Sequence, residues 1–259
     1  MENRRGKVIL FGRTGAGKST VSNALVTGSI EGDLPFTIGH GVKGCTSEMT
    51  TEEGRGWTVT DTVGLGEGQD GQVEDKTAEQ KICDFLKQVK GKYSHVIYVK
   101  SSKNRLDLID EKIWLSFLRV FRGAEAAFTV LFTKGDEKWL DDNWDKLPSW
   151  IQELGRHNVL ITDIPPVAPR PVQEKRNQQT RRASIEKLDT DLWNLFQSRG
   201  GQYEVPDICN MNDAQLVEES SSILAYISNV FSSLLHGLTK TATAITSFNT
   251  ILTVFTCLL

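Results

Sequence analysis

The sequence predicts an α/β fold in which a mostly parallel β-sheet forms the middle of three layers and helices cover both of its faces. Two observations lead to this prediction. Short apolar segments typical of buried strands alternate with segments of helical periodicity, and this alternation implies right-handed crossovers between parallel strands. A glycine-rich turn also joins the first predicted strand to the first predicted helix, at the edge where open α/β sheets bind ligands.

The predicted elements follow one another along the chain. Five apolar segments have the length and composition of buried strands: "KVILF" at 7–11, "WTVTDTVGL" at 57–65, which runs into a loop, "HVIYVK" at 95–100, "AAFTVLFTKGD" at 126–136 and "VLITDIP" at 159–165. Helical periodicity is present at 18–26, 74–91 and 108–124. The proline-rich segment 165–171 is expected to be an extended loop, and the basic stretch after it a solvated surface.

Composition excludes several classes of protein. A chain of 259 residues with 39% hydrophobic and 24% charged residues is typical of a soluble α/β domain with an appendage. A formal net charge of −3 argues against a dedicated nucleic-acid-binding protein. The four cysteines have no paired spacing, so neither a disulfide framework nor a zinc site is indicated. With no apolar signal peptide before the first motif and no glycine at position 2 for myristoylation, we expect a cytoplasmic location.

The segment "GRTGAGKS", from Gly12 to Ser19, matches the phosphate-binding loop GxxxxGK[ST] in its usual place between a strand and a helix. Its glycines allow several backbone N–H groups to point at phosphate oxygens, next to the positive end of the following helix. The Lys18 amine is expected to bind the β- and γ-phosphates, and the Ser19 hydroxyl to ligate Mg²⁺. The residues predicted to contact the nucleotide here are Gly12, Arg13, Thr14, Gly15, Ala16, Gly17, Lys18, Ser19 and Thr20.

The segment "TKGD", residues 133–136, predicts that the base is guanine. The Asp136 carboxylate offers two acceptors side by side, which match the ring N–H and the exocyclic amine of guanine. Adenine presents an acceptor in that position, and mismatches of this kind can reach about 10⁴-fold discrimination. The stem of Lys134 is expected to lie along the base, and Thr133 to brace the neighbouring loops.

The segment "DTVG", residues 61–64, predicts the third part of the site. Asp61 can hold Mg²⁺ through a water molecule, and the amide of Gly64 can bind the γ-phosphate, which makes this loop a nucleotide-dependent switch. The first switch is expected within residues 39–54, where we choose Thr46 over Thr50 and Thr51 to complete the magnesium shell. Together these three motifs predict a P-loop GTPase fold that takes GTP as substrate with Mg²⁺ as cofactor.

These motifs resemble those of the immunity-associated GTPases (the GIMAP, or avirulence-induced-gene, family), relatives of septins and of the chloroplast import receptors. The resemblance covers roughly residues 6–205 and rests on "GRTGAGKST", "GCTSEM", "DTVGL", "NRLDLIDEK", "LFTKGD" and "LFQSRGGQYEVPD". It implies a GTP-binding domain over residues 1–205 and an extension over residues 206–259. The chain departs from the family pattern at Val63, where a proline is usual, and it has no clear guanine-loop signature after the last predicted strand.

The resemblance also implies a source for a missing catalytic group. Leu65 occupies the position where Ras-like enzymes have a glutamine that orients the attacking water, and a leucine side chain has no hydrogen-bonding group. Some members of the family are activated by pairing face to face across the nucleotide, so that an arginine reaches the phosphates of the partner. The matching segment here is "NRLDLID", which makes Arg105 the catalytic candidate beside Lys18 and Thr46. Arg13 is a weaker candidate for this role, and the alternative for Arg105 is a solvated loop residue.

The C-terminal segment has a different composition from the rest of the chain. Residues 220–259 include one formally charged side chain, Lys240, and two stripes of apolar residues at helical spacing face small polar residues. This pattern is typical of amphipathic helices that associate with a membrane surface; the alternative is a pair of helices packed on protein. Six threonines within residues 241–259 make this segment a poor membrane span.

The favoured hypothesis is a GTPase with a low intrinsic rate that is accelerated by homodimerisation through the nucleotide face and is peripheral on the cytosolic side of a membrane. The competing hypothesis is a scaffold in which bound GTP controls oligomer assembly without hydrolysis. A phosphate-loop kinase or ATPase is a third interpretation, which the TKGD motif opposes. No nucleic-acid partner is expected.

Overall fold

A computed structural model of the chain describes residues 6–38, 50–62, 87, 91–204, 212, 214, 215 and 218. A six-stranded sheet lies at its centre, in the order β2-β3-β1-β5-β6-β7. Every neighbouring pair in this sheet is parallel except β2 and β3, which are antiparallel. Its strands are β1 (Gly6–Phe11), β2 (Thr50–Gly54), β3 (Trp57–Asp61), β5 (His95–Ser101), β6 (Phe128–Thr133) and β7 (Val159–Thr162).

Helices pack on both faces of the sheet. Because successive side chains of a strand point to opposite faces, β1 contributes to two separate apolar clusters. Val8 and Leu10 belong to a cluster that includes residues of α1 and α5, whereas Ile9 and Phe11 belong to a cluster that includes residues of α2, α3 and α4. The helices are α1 (Lys18–Thr27), α2 (Leu108–Val120), α3 (Glu137–Asn143), α4 (Ser149–Gln152) and α5 (Pro171–Ser198). The predicted three-layer P-loop GTPase fold is therefore confirmed.

Among the elements that were not predicted are β2 and α5. β2 reads "TTEEG" and has no apolar run, but it pairs with β3 through a turn in which Arg55 and Gly56 adopt positive φ angles of 48° and 82°. α5 extends over 28 residues, and its first ten residues are mostly exposed. Only its second half buries a regular apolar stripe: Ile185, Leu188, Leu192 and Leu195.

Short elements complete the fold. The strands β4 (Lys92–Tyr93) and β8 (Tyr203–Glu204) pair in a small antiparallel sheet. Single 3₁₀ turns lie at Glu125–Ala127, Trp144–Lys146 and Arg156–Asn158. Of the predicted helix at 74–91, only Lys87 and Gly91 belong to the described residues, and the predicted apolar stripes at 220–259 lie outside them. None of the described helices is long and apolar enough to cross a bilayer.

Hydrogen bonds from Trp57 and from Arg199 join distant parts of the chain and hold α5 against the sheet. The indole nitrogen of Trp57, which is fully buried at the start of β3, donates to Asp189 Oδ1 on α5 at 2.8 Å. At the end of α5, the Arg199 guanidinium donates to the carbonyls of Ser94 and Ala127 at 3.3 and 3.1 Å. The same guanidinium lies against Nδ1 of His95, at 3.0 Å. The long helix is thus fixed to the start of β3 and to the residues just before β5 and β6.

His95 is fully buried and must be neutral. Burial lowers its pKa to about 3, and the adjacent positive charge of Arg199 adds to this effect. Because Arg199 donates to Nδ1, this ring nitrogen is an acceptor and the proton is on the other nitrogen. Burial also lowers the pKa of Arg199, to about 10. The pair is thus one neutral ring and one cation in the interior.

This pair predicts a loss of stability in mild acid. In the unfolded chain His95 regains its ordinary pKa of about 6.5, so below that pH the unfolded state binds one proton that the folded state does not bind. The stabilisation from His95 is present above pH 6.5 and is lost as the pH falls toward 3, by about 2 kcal/mol between pH 8 and pH 5. We expect His95→Asn, which keeps an acceptor toward Arg199, to remove this component of the pH dependence in urea unfolding.

The matched control is His157→Asn, because His157 is exposed. This variant is expected to keep the wild-type decrease in the free energy of unfolding between pH 8 and pH 5. An equal decrease in wild type and His95→Asn would contradict the assignment of a neutral, buried His95.

Candidate nucleotide-binding site

Three loops meet at one edge of the central sheet. β1, β3 and β6 are parallel, and each ends in one of the predicted motifs: the phosphate-binding loop after Phe11, Asp61 at the end of β3, and the TKGD loop after Phe132. The register places Leu10 opposite Asp61. Because the chain leaves β1 toward α1 on one face and leaves β5 toward α2 on the other, this edge is also the switch point where open α/β sheets bind ligands.

The conformation of the phosphate-binding loop requires glycine at two positions. Gly12 has a φ of 142°, and a side chain there would place its Cβ 2.3 Å from the carbonyl oxygen of Val99. Gly17 has a φ of 98° and is the N-cap of α1, where no side chain caps the helix. The first-turn amides of α1 are therefore not bound by a cap side chain and can bind an anion.

Lys18 lies beneath this loop. Its side-chain amine donates to the carbonyls of Gly12 and Arg13, at 3.0 and 3.3 Å, and only 6% of the residue is exposed. Burial lowers the pKa of Lys18 to about 8, and the nearby carboxylate of Asp61 opposes that change. Bound phosphate groups would supply the negative charge that a buried ammonium lacks here.

Ser19 and Asp61 form the part of the site that fits a divalent cation. Ser19 Oγ donates to Asp61 Oδ2 at 2.6 Å, and Asp61 Oδ1 is buried without a hydrogen-bond partner among the described residues. Burial raises the pKa of Asp61, against the effects of Lys18 and Ser19. A hydroxyl and a carboxylate are oxygen ligands that Mg²⁺ prefers, directly or through water. These two residues would therefore hold the ion, which would neutralise phosphate charge.

The TKGD loop contacts the phosphate-binding loop directly. Thr133 Oγ1 donates to the carbonyl of Ala16 at 2.6 Å, and Lys134 Nζ donates to that of Gly15 at 3.3 Å. Lys134 has a φ of 61°, an unfavourable conformation for a residue with a side chain and one that is found at functional sites. Asp136 is exposed and is the N-cap of α3, because its Oδ1 accepts from the amide of Trp139 at 2.9 Å. Its Oδ2 is directed to no described residue.

The segment between β5 and α2 contributes a fourth loop to the same edge. Arg105 is exposed in this loop and forms no hydrogen bond or ion pair with another described residue. Arg13 of the phosphate-binding loop contacts the last residue of this fourth loop, Asp107, because Arg13 Nη1 is 2.8 Å from Asp107 Oδ2. The weaker arginine candidate is thus bound within its own chain, whereas the stronger candidate is directed to solvent.

Some predicted residues cannot be placed. Thr46, Gly64 and Leu65 lie outside the described residues, so their roles remain predictions. The two threonines that we did not choose as magnesium ligands are both on β2. Thr51 Oγ1 is bound to Thr60 Oγ1 at 2.8 Å, and Thr50 is the cross-strand neighbour of Asp61.

Three charged residues beside the site were not predicted from the sequence. Asp107, Asp110 and Lys100 form ion pairs behind the phosphate-binding loop, and no role had been predicted for their side chains. One signal was available: Asp107 and Asp110 have the spacing of a capping box, and the structure has that capping box at the start of α2. The pairing of Asp107 with Arg13, 94 residues away, has no local signal.

The phosphate-binding loop, the acidic end of β3 and the TKGD loop together define a GTP-binding domain of the P-loop class. A model of the AIG1 family matches residues 6–157, which is more than half of the chain. The chain therefore belongs to the AIG1 family, and the resemblance inferred from its motifs is confirmed.

Two proteins of Arabidopsis thaliana are similar to this chain. Immune-associated nucleotide-binding protein 4 is 28% identical over 197 residues, which cover 71% of this chain and 59% of that protein. Immune-associated nucleotide-binding protein 7 is 28% identical over 157 residues, which cover 58% of this chain and 49% of that protein. The chain thus spans only about half to three fifths of the length of these relatives.

Solved structures of lower identity are also similar. Toc33 from Arabidopsis thaliana, in complex with GDP and Mg²⁺, is 19% identical, with 79% of this chain and 88% of that chain covered at a TM-score of 0.47. A probable GTP-binding protein, engB, is 16% identical, with 74% and 99% covered at a TM-score of 0.43. At these identities the similarity concerns the fold alone.

The cation site predicts the behaviour of one variant. Asp61→Asn keeps the size of the side chain but removes the negative charge, so Mg²⁺ should bind less tightly by about 10- to 100-fold. The measurement is the Mg²⁺ concentration that gives half-maximal slowing of the release of a fluorescent GDP analogue. Asp141→Asn, in the ion pair between α3 and Arg156, is the control and should have the wild-type Mg²⁺ requirement. An unchanged requirement in Asp61→Asn would contradict the role of Asp61.

Proposed function

We propose that this AIG1-family domain hydrolyses GTP slowly as a monomer, with Mg²⁺, and faster when two copies pair through their nucleotide faces. The single observation that supports this proposal best is the exposed Arg105 at the edge of the sheet where the three nucleotide-binding motifs meet. Hydrolysis needs a positive charge or hydrogen-bond donor near the transferred phosphoryl group. Leu65 cannot supply a donor from its side chain.

The residues of a single chain account for binding and for part of the chemistry. Lys18 would bind the β- and γ-phosphates and stabilise the charge that develops on them, while the first-turn amides of α1 hold the same oxygens. Asp136 would select guanine through its free Oδ2 and its N-cap oxygen Oδ1, and Thr133 keeps the base loop against the phosphate loop. Ser19 and Asp61 would hold Mg²⁺, which when bound would neutralise negative charge on the phosphates. None of these groups orients the attacking water.

The surface around Arg105 is suited to contact with a second copy. Leu108, three residues further along the chain, is 60% exposed and is one of three large hydrophobic residues exposed in the described part of the chain. Arginine is enriched in protein interfaces, and an exposed leucine three residues away adds apolar surface that a partner would remove from water. In a face-to-face pair, the guanidinium of one copy would approach the phosphates bound by the other.

The test is the rate of GTP hydrolysis per molecule over a wide range of protein concentrations, at saturating GTP and with ATP as the comparison. We expect the rate to rise with concentration for GTP and not for ATP. Because an arginine supplied in trans accelerates hydrolysis by about 10³- to 10⁵-fold, Arg105→Ala should remove most of the concentration-dependent component. Its rate at high dilution should remain close to that of the wild type.

Lys103→Ala is the matched control, since Lys103 is an exposed cation in the same loop, and it should keep the concentration dependence. Equal acceleration in wild type and Arg105→Ala would contradict the role of Arg105. A rate near zero at every concentration, together with tight GTP binding, would instead favour the scaffold hypothesis, in which GTP only controls assembly.

We further propose that the C-terminal extension associates with the cytosolic surface of a membrane. The support is its composition: two apolar stripes at helical spacing and one formal charge over residues 220–259. Amphipathic segments of this kind bind by burying their apolar face at the lipid boundary. We expect the full chain to co-sediment with liposomes and a chain lacking residues 213–259 to remain in the supernatant. Equal sedimentation of both would exclude this role for the extension.

A further inference from the structure

One ion pair connects the phosphate-binding loop with the loop that contains Arg105. Arg13 Nη1 and Asp107 Oδ2 are 2.8 Å apart, with side chains that are 30% and 47% exposed. Asp107 follows Arg105 by two residues, and Arg13 follows Gly12, whose carbonyl accepts from Lys18. This ion pair thus lies between the residue expected to act in trans and the loop expected to bind the phosphates, and Asp110 Oδ2 lies 4.0 Å from the same Arg13 nitrogen.

The two carboxylate oxygens of Asp107 have separate partners. Oδ1 accepts from the amides of Ile109 and Asp110, at 2.9 and 3.2 Å, and so caps α2. Oδ2 accepts from Arg13. Because the two functions use different atoms, a substitution can remove one of them and keep the other.

A buried ion pair fixes the helix end of this connection. Asp110 is fully buried, and its Oδ2 accepts from Lys100 Nζ on β5 at 2.7 Å and from the amide of Asp107 at 2.9 Å. Its Oδ1 accepts from the hydroxyl of Tyr98 at 2.5 Å. The start of α2 is therefore held to the central sheet by buried hydrogen bonds, and Arg13 binds to Asp107 at this fixed helix start.

The other end of the Arg105 loop is bound to the base-binding loop. The amide of Ser102 donates to the carbonyl of Thr133 at 2.9 Å, and Ser102 Oγ donates to the carbonyl of Lys134 at 2.8 Å. The loop from Ser102 to Asp107 is thus attached to the TKGD loop at its start and to the phosphate-binding loop at its end. Arg105 lies between these two attachments.

We propose that the Arg13–Asp107 ion pair positions Arg105 for the partner's nucleotide, and that Asp107 is a positioning residue for dimer-accelerated hydrolysis. This inference rests on the proposed function and identifies what orients its candidate arginine. Arg105 itself has no described partner, so the conformation of its loop depends on how the loop ends are held. A loop held at both ends loses less conformational entropy when the dimer forms, which favours the productive geometry.

The experiment compares two substitutions that separate the helix-capping role of Asp107 Oδ1 from the ion pair of Asp107 Oδ2 with Arg13. Asp107→Asn keeps an N-cap oxygen, because asparagine is as good a cap as aspartate, but it places an amide or a neutral oxygen against Arg13. Asp107→Glu keeps the charge and is a poor cap. We expect Asp107→Asn to lower the concentration-dependent GTP hydrolysis rate by about fivefold, the effect of losing one partly exposed ion pair, with its rate at high dilution unchanged. Asp107→Glu should keep most of the acceleration.

Asp107→Ser is a second variant that keeps the cap and places no amide group against Arg13, and it should behave like Asp107→Asn. Thermal unfolding of each variant identifies any general loss of fold. Wild-type acceleration in both Asp107→Asn and Asp107→Ser, with loss only in Asp107→Glu, would mean that Asp107 serves only as a helix cap, and would overturn the proposal.

Arg105→Ala in the same series separates this inference from the proposed function. If Arg105→Ala abolishes the acceleration and Asp107→Asn does not reduce it, Arg105 acts in trans but is not positioned by Asp107, and only the positioning proposal fails. If Arg105→Ala leaves the acceleration unchanged, the proposed trans role fails, and the positioning role fails with it. The supporting result is loss in Arg105→Ala together with partial loss in Asp107→Asn.

Discussion

The central position of β1 is the constraint on which the rest of the domain depends. This strand is hydrogen-bonded to β3 on one side and β5 on the other, and its side chains enter the apolar clusters on both faces of the sheet. A shift in register would move each side chain of this strand out of the close-packed neighbours that fit it on both faces, which would leave cavities and overlaps in both clusters. The phosphate-binding loop begins where β1 ends, so its backbone starts from a fixed point. The positions of Lys18, Ser19 and the first turn of α1 are fixed in turn, because they follow directly after this loop.

The hydrogen bonds around the phosphate loop show how its neighbours are coupled to it. Thr133 and Lys134 bind its carbonyls from β6, Lys18 binds two more from below, and Arg13 extends from it to Asp107. The carbonyl oxygens of the loop are thereby directed toward cations and hydroxyl groups of the protein. This arrangement leaves amide groups for an anion, as expected for a loop that binds phosphate.

Much of the fold was predictable because its inner strands are short apolar runs. β1, β5 and β6 are buried along their length, and a strand enclosed on both faces has to be apolar. β2 was not predictable in the same way, since an edge strand with the sequence "TTEEG" has no such run and forms through pairing with β3. The motifs located the site because each lies within a few residues of a strand end. The charged cluster of Asp107, Asp110 and Lys100 was missed because its pairing with Arg13 depends on contact between residues that are far apart in the sequence.

The hairpin of β2 and β3 has a consequence for both predicted switch segments. The first predicted switch, residues 39–54, includes β2, and the second, residues 61–64, begins at the last residue of β3, where Thr50 and Asp61 are cross-strand partners. The far end of the hairpin is anchored by the hydrogen bond from Trp57 to Asp189 on α5. Both predicted switches therefore meet at the same end of one hairpin, and the other end of this hairpin is held to α5. A shift of β2 at Thr50 would also shift Asp61 of β3, so the strand pairing couples the two predicted switches.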